Sequence, residues 1–130
     1  MILDTAFVID LIDGDEGAVE KAAELESADV VVKVPVMTLL ELYIGVGKVA
    51  HTTQEERNVR RIIGSFPIVE MDHSIATEAG LLIGELAREG IAMKKGDAAI
   101  GISARREDDP VLTRNVDDFE RIPDLEVVTY

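Results

Sequence analysis

Three carboxylates and one amide, Asp4, Glu41, Asp97 and Asn115, fall where short apolar runs of this 130-residue chain meet helical or turn segments. In an open parallel sheet such junctions are the carboxyl ends of strands, and sites form beyond them, near the point where strand order reverses. Each residue also has an ordinary local reading. Asp4 could accept backbone N–H groups of the next turn, although an acid between Met1-Ile-Leu3 and Ala6-Phe-Val8 is costly to bury without a partner. Thr38 and Glu41 have capping-box spacing, which by local rules makes Glu41 a helix cap. Asp97, after Gly96, suits an N-cap or first helical turn, and Asn115 suits a turn. The chemistry lies in the set. Carboxylates brought together raise one another's pKa values and stay ionised when a cation sits among them. Mg²⁺ suits such a group, because it takes few carboxylates, keeps several waters and accepts phosphate oxygens. A metal of this kind can acidify a bound water and stabilise charge on a phosphodiester, so hydrolytic phosphoryl transfer is the reaction class expected.

Other chemistries find less support. With no cysteine, disulfides, thiolate metal sites and Cys nucleophiles are excluded, leaving oxygen ligands and a hard cation. His51 and His73 are remote from each other and from the acids in sequence, which favours surface or capping roles. No glycine-rich phosphate loop is present. A net charge of -13 argues against broad electrostatic adhesion to nucleic acid, so any such contact must be local. Lys94, Lys95, Arg105, Arg106 and Arg114 are expected near the acidic edge, either touching an RNA backbone or serving as ordinary surface charges. Asp10, Asp13, Asp15, Asp108, Asp109 and Asp124 read as solvated turn residues.

The elements that must position the acids follow from hydrophobic pattern. With 47% hydrophobic but only 4% aromatic residues, the core must be aliphatic, which suits α/β layers. Strands are expected at 1–5, 30–36, 66–71, 111–113 and 126–129, with Val30 to Val36 a buried parallel strand. Helices are expected at 6–12, 16–26, 38–46, 51–65, 74–88 and 97–106. Thr52 and Thr53, each followed three residues later by a glutamate, form a doubled capping box at the fourth. The alternation predicts a mainly parallel sheet covered on both faces and one domain over 1–130. Ile44, Val46, Val49, Ile62 and Ile63 are expected to leave an apolar patch that pairs two copies or receives a partner helix, and a homodimer is expected. The opening residues lack a signal peptide's basic and apolar regions, and no apolar run has membrane-spanning length, so a soluble cytoplasmic protein is expected.

Four segments carry a family resemblance: Met1-Ile-Leu-Asp-Thr5, Val36-Met-Thr-Leu-Leu-Glu-Leu-Tyr-Ile-Gly45, Gly96-Asp-Ala-Ala-Ile100, and Leu112-Thr-Arg-Asn-Val-Asp-Asp-Phe-Glu-Arg-Ile-Pro123. In this order they resemble PIN-domain proteins, specifically the VapC-type ribonuclease toxins, across nearly the whole chain. The resemblance implies a three-layer α/β/α sandwich with Asp4, Glu41 and Asp97 as the acidic set. Of these, Asp4 and Asp97 would hold Mg²⁺ or Mn²⁺, and Glu41 would bind it through water or orient the nucleophile. Thr5 and Thr113 would be supporting hydroxyls. It further implies metal-dependent endoribonuclease activity and inhibition by a small cognate antitoxin. Many members carry a fourth acid where this chain has Asn115, which leaves Asp117 or Asp118 to take that part. The alternatives are a PIN nuclease of RNA processing or decay without an antitoxin, and a non-catalytic interaction module. A phosphoaspartate enzyme would want a second aspartate two residues after Asp4, which is absent.

Overall fold

The computed structural model describes residues 1–130. Its sheet is built from five very short strands, β1 (Ile2–Leu3), β2 (Val34–Pro35), β3 (Ile68–Val69), β4 (Val111–Leu112) and β5 (Val127–Val128). β1, β4 and β5 form one parallel ladder and β2 and β3 another. A parallel bridge between Ile2 and Lys33 joins the two, giving the spatial order β3-β2-β1-β4-β5. Strand order therefore reverses at β1, and the ends of β1 and β4 meet at that point.

Seven helices cover the sheet: α1 (Thr5–Asp13), α2 (Glu16–Ser27), α3 (Val36–Lys48), α4 (Thr52–Ile63), α5 (His73–Arg88), α6 (Lys95–Arg106) and the single-turn α7 (Val116–Phe119). Successive strand side chains point to opposite faces, which divides the core in two. Ile2 and Val111 join α5, α6 and Phe119 on one side, with Ile100 and Ile102 fully buried. Leu3 and Leu112 join Phe7, Val8, Leu42 and Val59 from α1, α3 and α4 on the other. The result is the expected α/β/α sandwich with a parallel sheet. No helix is long and apolar enough to cross a membrane.

Local chemistry corrects several expectations. Val30 and Val31 are exposed and precede the strand. Asp29 adopts φ 53° after α2, and the Val30 N–H donates back to the Leu25 carbonyl, so Val30 closes a helix instead of pairing in the sheet. α3 begins at Val36, directly after Pro35, and Thr38 is no cap: it is fully buried and its hydroxyl donates to the Leu3 carbonyl (3.0 Å). α4 lies where expected, yet no threonine caps it, since Thr52 Oγ1 donates to the Val49 carbonyl. α5 is capped by Asp72, whose carboxylate accepts the Ile75 N–H. α7 was not anticipated, because one turn offers no periodicity, and buried Phe119 anchors it. Of the apolar patch, Val46 and Ile63 belong to the core, while Leu40, Tyr43 and Ile44 form an exposed stripe on α3.

Packing is tight around Gly101 on α6. A β-carbon there would fall 2.1 Å from Ile122 Cδ1 and 3.4 Å from Phe119 Cδ1. Helix propensity favours a larger residue by less than about 1 kcal/mol, whereas overpacking costs about 1–3 kcal/mol. Gly101→Val is therefore expected to lower stability by about 2 kcal/mol in urea unfolding. Wild-type stability would mean that Ile122 can swing aside.

Candidate metal centre

Because β1 and β4 pair in register, Ile2 with Val111 and Leu3 with Leu112, the next residues along, Asp4 and Thr113, stand side by side where the two strands end. Asp4 is 2% exposed and caps α1, with Oδ1 accepting the Thr5 N–H (2.7 Å). Its Oδ2 accepts the Thr113 hydroxyl (2.6 Å), and Thr113 Oγ1 in turn accepts the Asn115 N–H (2.9 Å). Burial pushes the Asp4 carboxyl above its ordinary value; the Thr113 and Thr5 hydrogen bonds oppose the shift and the Glu41 charge adds to it. No basic side chain touches Asp4, so a buried acid is held by neutral donors.

Glu41 reaches this edge from the second turn of α3. Its Oε1 accepts the Thr5 hydroxyl (2.8 Å), which replaces the capping-box role with a cross-link between α1 and α3. The other side of its carboxylate lies against the α6 backbone, where a β-carbon on Gly96 would fall 2.8 Å from Oε2. Asp97 follows in the first turn of α6, half-buried. Burial pushes its carboxyl up to about 6, helped by the charges of Asp4, Asp118 and Glu41 and opposed by Lys94. Asp118, in the only turn of α7, lines a hollow of about 220 Å³ with Asp97, Lys94 and Arg121. The structure thus brings Asp4, Thr5, Glu41, Asp97, Thr113 and Asp118 to one edge. Asn115 and Asp117 lie at its rim, lining an adjoining hollow of about 390 Å³ with Arg114, Asp118 and Arg121.

The basic residues divide. Lys94 borders the acids, but Arg105 and Arg106 lie at the far end of α6. There Arg105 donates to the Pro123 carbonyl, and Arg106 donates to Ser74 and Glu78. Arg121, which sequence reasoning missed, donates to the Ala92 carbonyl and pairs with Asp118 at 3.8 Å. Asp10 is no solvated turn residue: it lies within α1 and accepts from Arg114 and from the Tyr130 hydroxyl. The role of Gly96 was legible only as a small residue before an acid, while Arg121 and Tyr130 carry no local signal. A hollow of about 470 Å³ lies elsewhere among Phe7, Leu25, Val31 and Phe66 and lacks convergent polar groups.

The donor set fits a hard divalent cation. Hard oxygen ligands converge, and the negative charges outnumber the one lysine that opposes them at Asp97. No three carboxylates close around a single point, so protein atoms alone do not complete a cage. Mg²⁺ retains water and takes one or two carboxylates, so it would need no such cage. With chelator present, linkage has a definite sign. The folded Asp97 carboxyl, at about 6, binds its proton more tightly than the ordinary group at 3.8. Its contribution to stability is fully present below the ordinary value and is lost as pH rises through the folded one. Asp97→Asn is therefore expected to melt above wild type at about pH 8, the gap closing as pH falls from about 6 to 4. A constant gap in metal-free melting curves would refute the coupling.

The PIN domain family matches residues 1–125. The fold is similar to a chain of the VapBC2 complex from Rickettsia felis bound to a DNA fragment from its promoter, with TM-score 0.87 and 22% identity over 99% of this chain and 97% of that one. It is similar to DNA-bound VapBC from Salmonella typhimurium, with TM-score 0.85 and 26% identity over 98% and 96% of the two chains. It also resembles VapC20 from Mycobacterium tuberculosis, a sarcin-ricin loop cleaving toxin, with TM-score 0.64 and 12% identity over 85% of each chain. No curated protein matches the sequence. A family match over nearly the whole chain, on a parallel α/β/α sandwich whose acids gather where strand order reverses, places this chain in the PIN domain family.

Proposed function

We propose that the protein is a Mg²⁺- or Mn²⁺-dependent endoribonuclease, the toxin of a type II toxin-antitoxin pair, acting from one domain over residues 1–130 in the cytoplasm. The observation that carries this reading is the gathering of Asp4, Glu41, Asp97 and Asp118 at one edge, where burial, with the charges of the other three adding to it, pushes Asp97 up to about 6. Buried like charges are costly to a fold, and a cation bridging them to a phosphodiester would turn that cost into binding. Asp4 and Asp97 would hold the ion. Bound there, it would supply charge neutralisation for phosphate oxygens and acidify the attacking water. Thr5 and Thr113 hold the Glu41 and Asp4 carboxylates in place by hydrogen bonds of 2.8 and 2.6 Å. Glu41, gripped between Thr5 and Gly96, is placed to accept a proton from water or orient it. Asp118 takes the part of the fourth acid, with Asn115 holding Thr113 through its backbone.

Toxin-antitoxin complexes among the similar structures favour a small cognate antitoxin as partner. The sarcin-ricin loop cleaving toxin among them favours RNA as substrate. The exposed Leu40, Tyr43 and Ile44 stripe on α3 supplies an apolar surface for a second copy.

Purified protein is expected to cut some members of a mixed set of structured and single-stranded RNAs with Mg²⁺ or Mn²⁺. Cutting should stop in EDTA and in an Asp4→Asn, Asp97→Asn variant. A folded wild type that cuts nothing would move the weight to a non-catalytic PIN module. Gly96→Ala tests the placement of Glu41 separately, since alanine is helix-compatible but displaces that carboxylate. Misplacement of a catalytic group by about 1 Å can cost ~10²-fold, so a loss of roughly 10- to 100-fold in kcat is expected with melting temperature near wild type. Full activity would remove Glu41 placement from the mechanism.

A further inference from the structure

Next to the acidic edge is a three-residue chain of polar contacts that the proposed chemistry does not use. Arg114 lies between Thr113, which bonds Asp4, and Asn115. Its side chain is 54% exposed, yet its Nη1 is fixed, donating to Asp10 Oδ1. Asp10 is only 13% exposed, and its second oxygen accepts the Tyr130 hydroxyl at 2.6 Å. The Tyr130 ring packs edge-on against Phe7, with centroids 4.9 Å apart and planes at 77°. Phe7 itself is buried, so the chain of contacts ends in the core.

A surface ion pair of this kind would ordinarily contribute little to stability. The arrangement is more economical as a way of holding a guanidinium. Arginine carries five N–H donors in a fixed fork suited to phosphate, and the structure uses one of them on Asp10. Asp10 is already hydrogen-bonded by Tyr130, so it anchors the arginine without being free to turn away. Arg121, by contrast, pairs with Asp118 of the acidic cluster itself. Arg114 is thus a preordered cation beside the acids whose anchor is not one of them. Ordering a flexible side chain in advance reduces what binding must spend on it.

We propose that Arg114 contacts an RNA phosphate flanking the cleavage site, and that Tyr130 is a positioning residue acting on it through Asp10. This inference rests on the nuclease reading. The test is a double-mutant cycle of Arg114→Ala and Tyr130→Phe, with KM and kcat measured on one single-stranded RNA over a range of salt. Arg114→Ala should raise KM about 10-fold, as loss of one charge-assisted contact would, with kcat within about twofold. The slope of log KM against log salt should fall by about 0.7, the loss of one phosphate contact on a single strand. Tyr130→Phe should raise KM by a smaller factor and leave the slope unchanged, because the arginine charge remains. The double variant should be no worse than Arg114→Ala alone.

Additive effects, or a Tyr130→Phe protein that melts lower but keeps its KM, would overturn the positioning role. An unchanged KM and slope in Arg114→Ala would overturn the phosphate contact. To separate this from failure of the nuclease reading, anisotropy of fluorescein-labelled single-stranded RNA is compared with and without Arg114→Ala in the Asp4→Asn, Asp97→Asn background. Weaker binding with a reduced salt slope supports the contact even where the wild type cuts nothing. Equal binding, or none, overturns it.

Discussion

The hydrogen bond from Thr113 to Asp4 is the constraint on which the rest of the site depends. It exists because β1 and β4 pair in parallel and in register, so that the residues following Leu3 and Leu112 are neighbours. Asp4 is almost wholly buried, and an ionised carboxylate there would be costly without partners. Hydrogen bonds to a charged group contribute about 1.5–3 kcal/mol each. The Thr113 hydroxyl and the Thr5 N–H offset part of the desolvation without neutralising the charge. A lysine or arginine beside Asp4 would have neutralised the charge and left nothing to attract a cation. The same backbone places Leu3 and Leu112 in one half of the core and Ile2 and Val111 in the other. One register thus sets both the packing and the position of the acid.

Glu41 shows the same logic from a different direction. Nothing in its own helix requires a carboxylate at that position, and the spacing from Thr38 points to a local cap. Tertiary structure overrides that local preference. Thr38 turns inward to donate to the Leu3 carbonyl, just before Asp4, and Glu41 is taken up by Thr5, just after it. Both residues of the apparent capping box are therefore spent on the end of β1. Gly96 completes the arrangement, since any side chain there would meet the Glu41 carboxylate.

What was legible in the sequence follows the reach of each interaction. The alternation of strands and helices, the inward faces of α1 and α5, and the convergence of Asp4, Glu41 and Asp97 depend on periodicity and on strand ends, which leave a pattern in the chain. The strand from Val30 was overextended because β-branched residues read alike in a sheet and beyond a helix end. Only the left-handed Asp29 decides between them. Arg105 and Arg106 were placed with the acids because they share a helix with Asp97, but that helix runs away from the edge for three turns. Contacts such as Asp10 with Tyr130 join residues 120 apart in sequence and leave no local trace.

The remaining acids show how a fold can tolerate so much negative charge at one place. α1 and α7 follow from β1 and β4, and α6, which follows α5, also begins at the edge where those strands stop. Asp4 caps α1, Asp97 lies in the first turn of α6, and Asp117 and Asp118 lie in the first turn of α7. The unpaired N–H groups and the dipole at such ends favour carboxylates. Glu41 is the exception, one turn further into α3, and it is the acid held by a side-chain hydroxyl and a close backbone. The topology thus stabilises each acid separately while leaving their mutual repulsion opposed only by Lys94 and Arg121. That residual repulsion adds to burial in raising the Asp97 carboxyl, and a divalent cation would remove it.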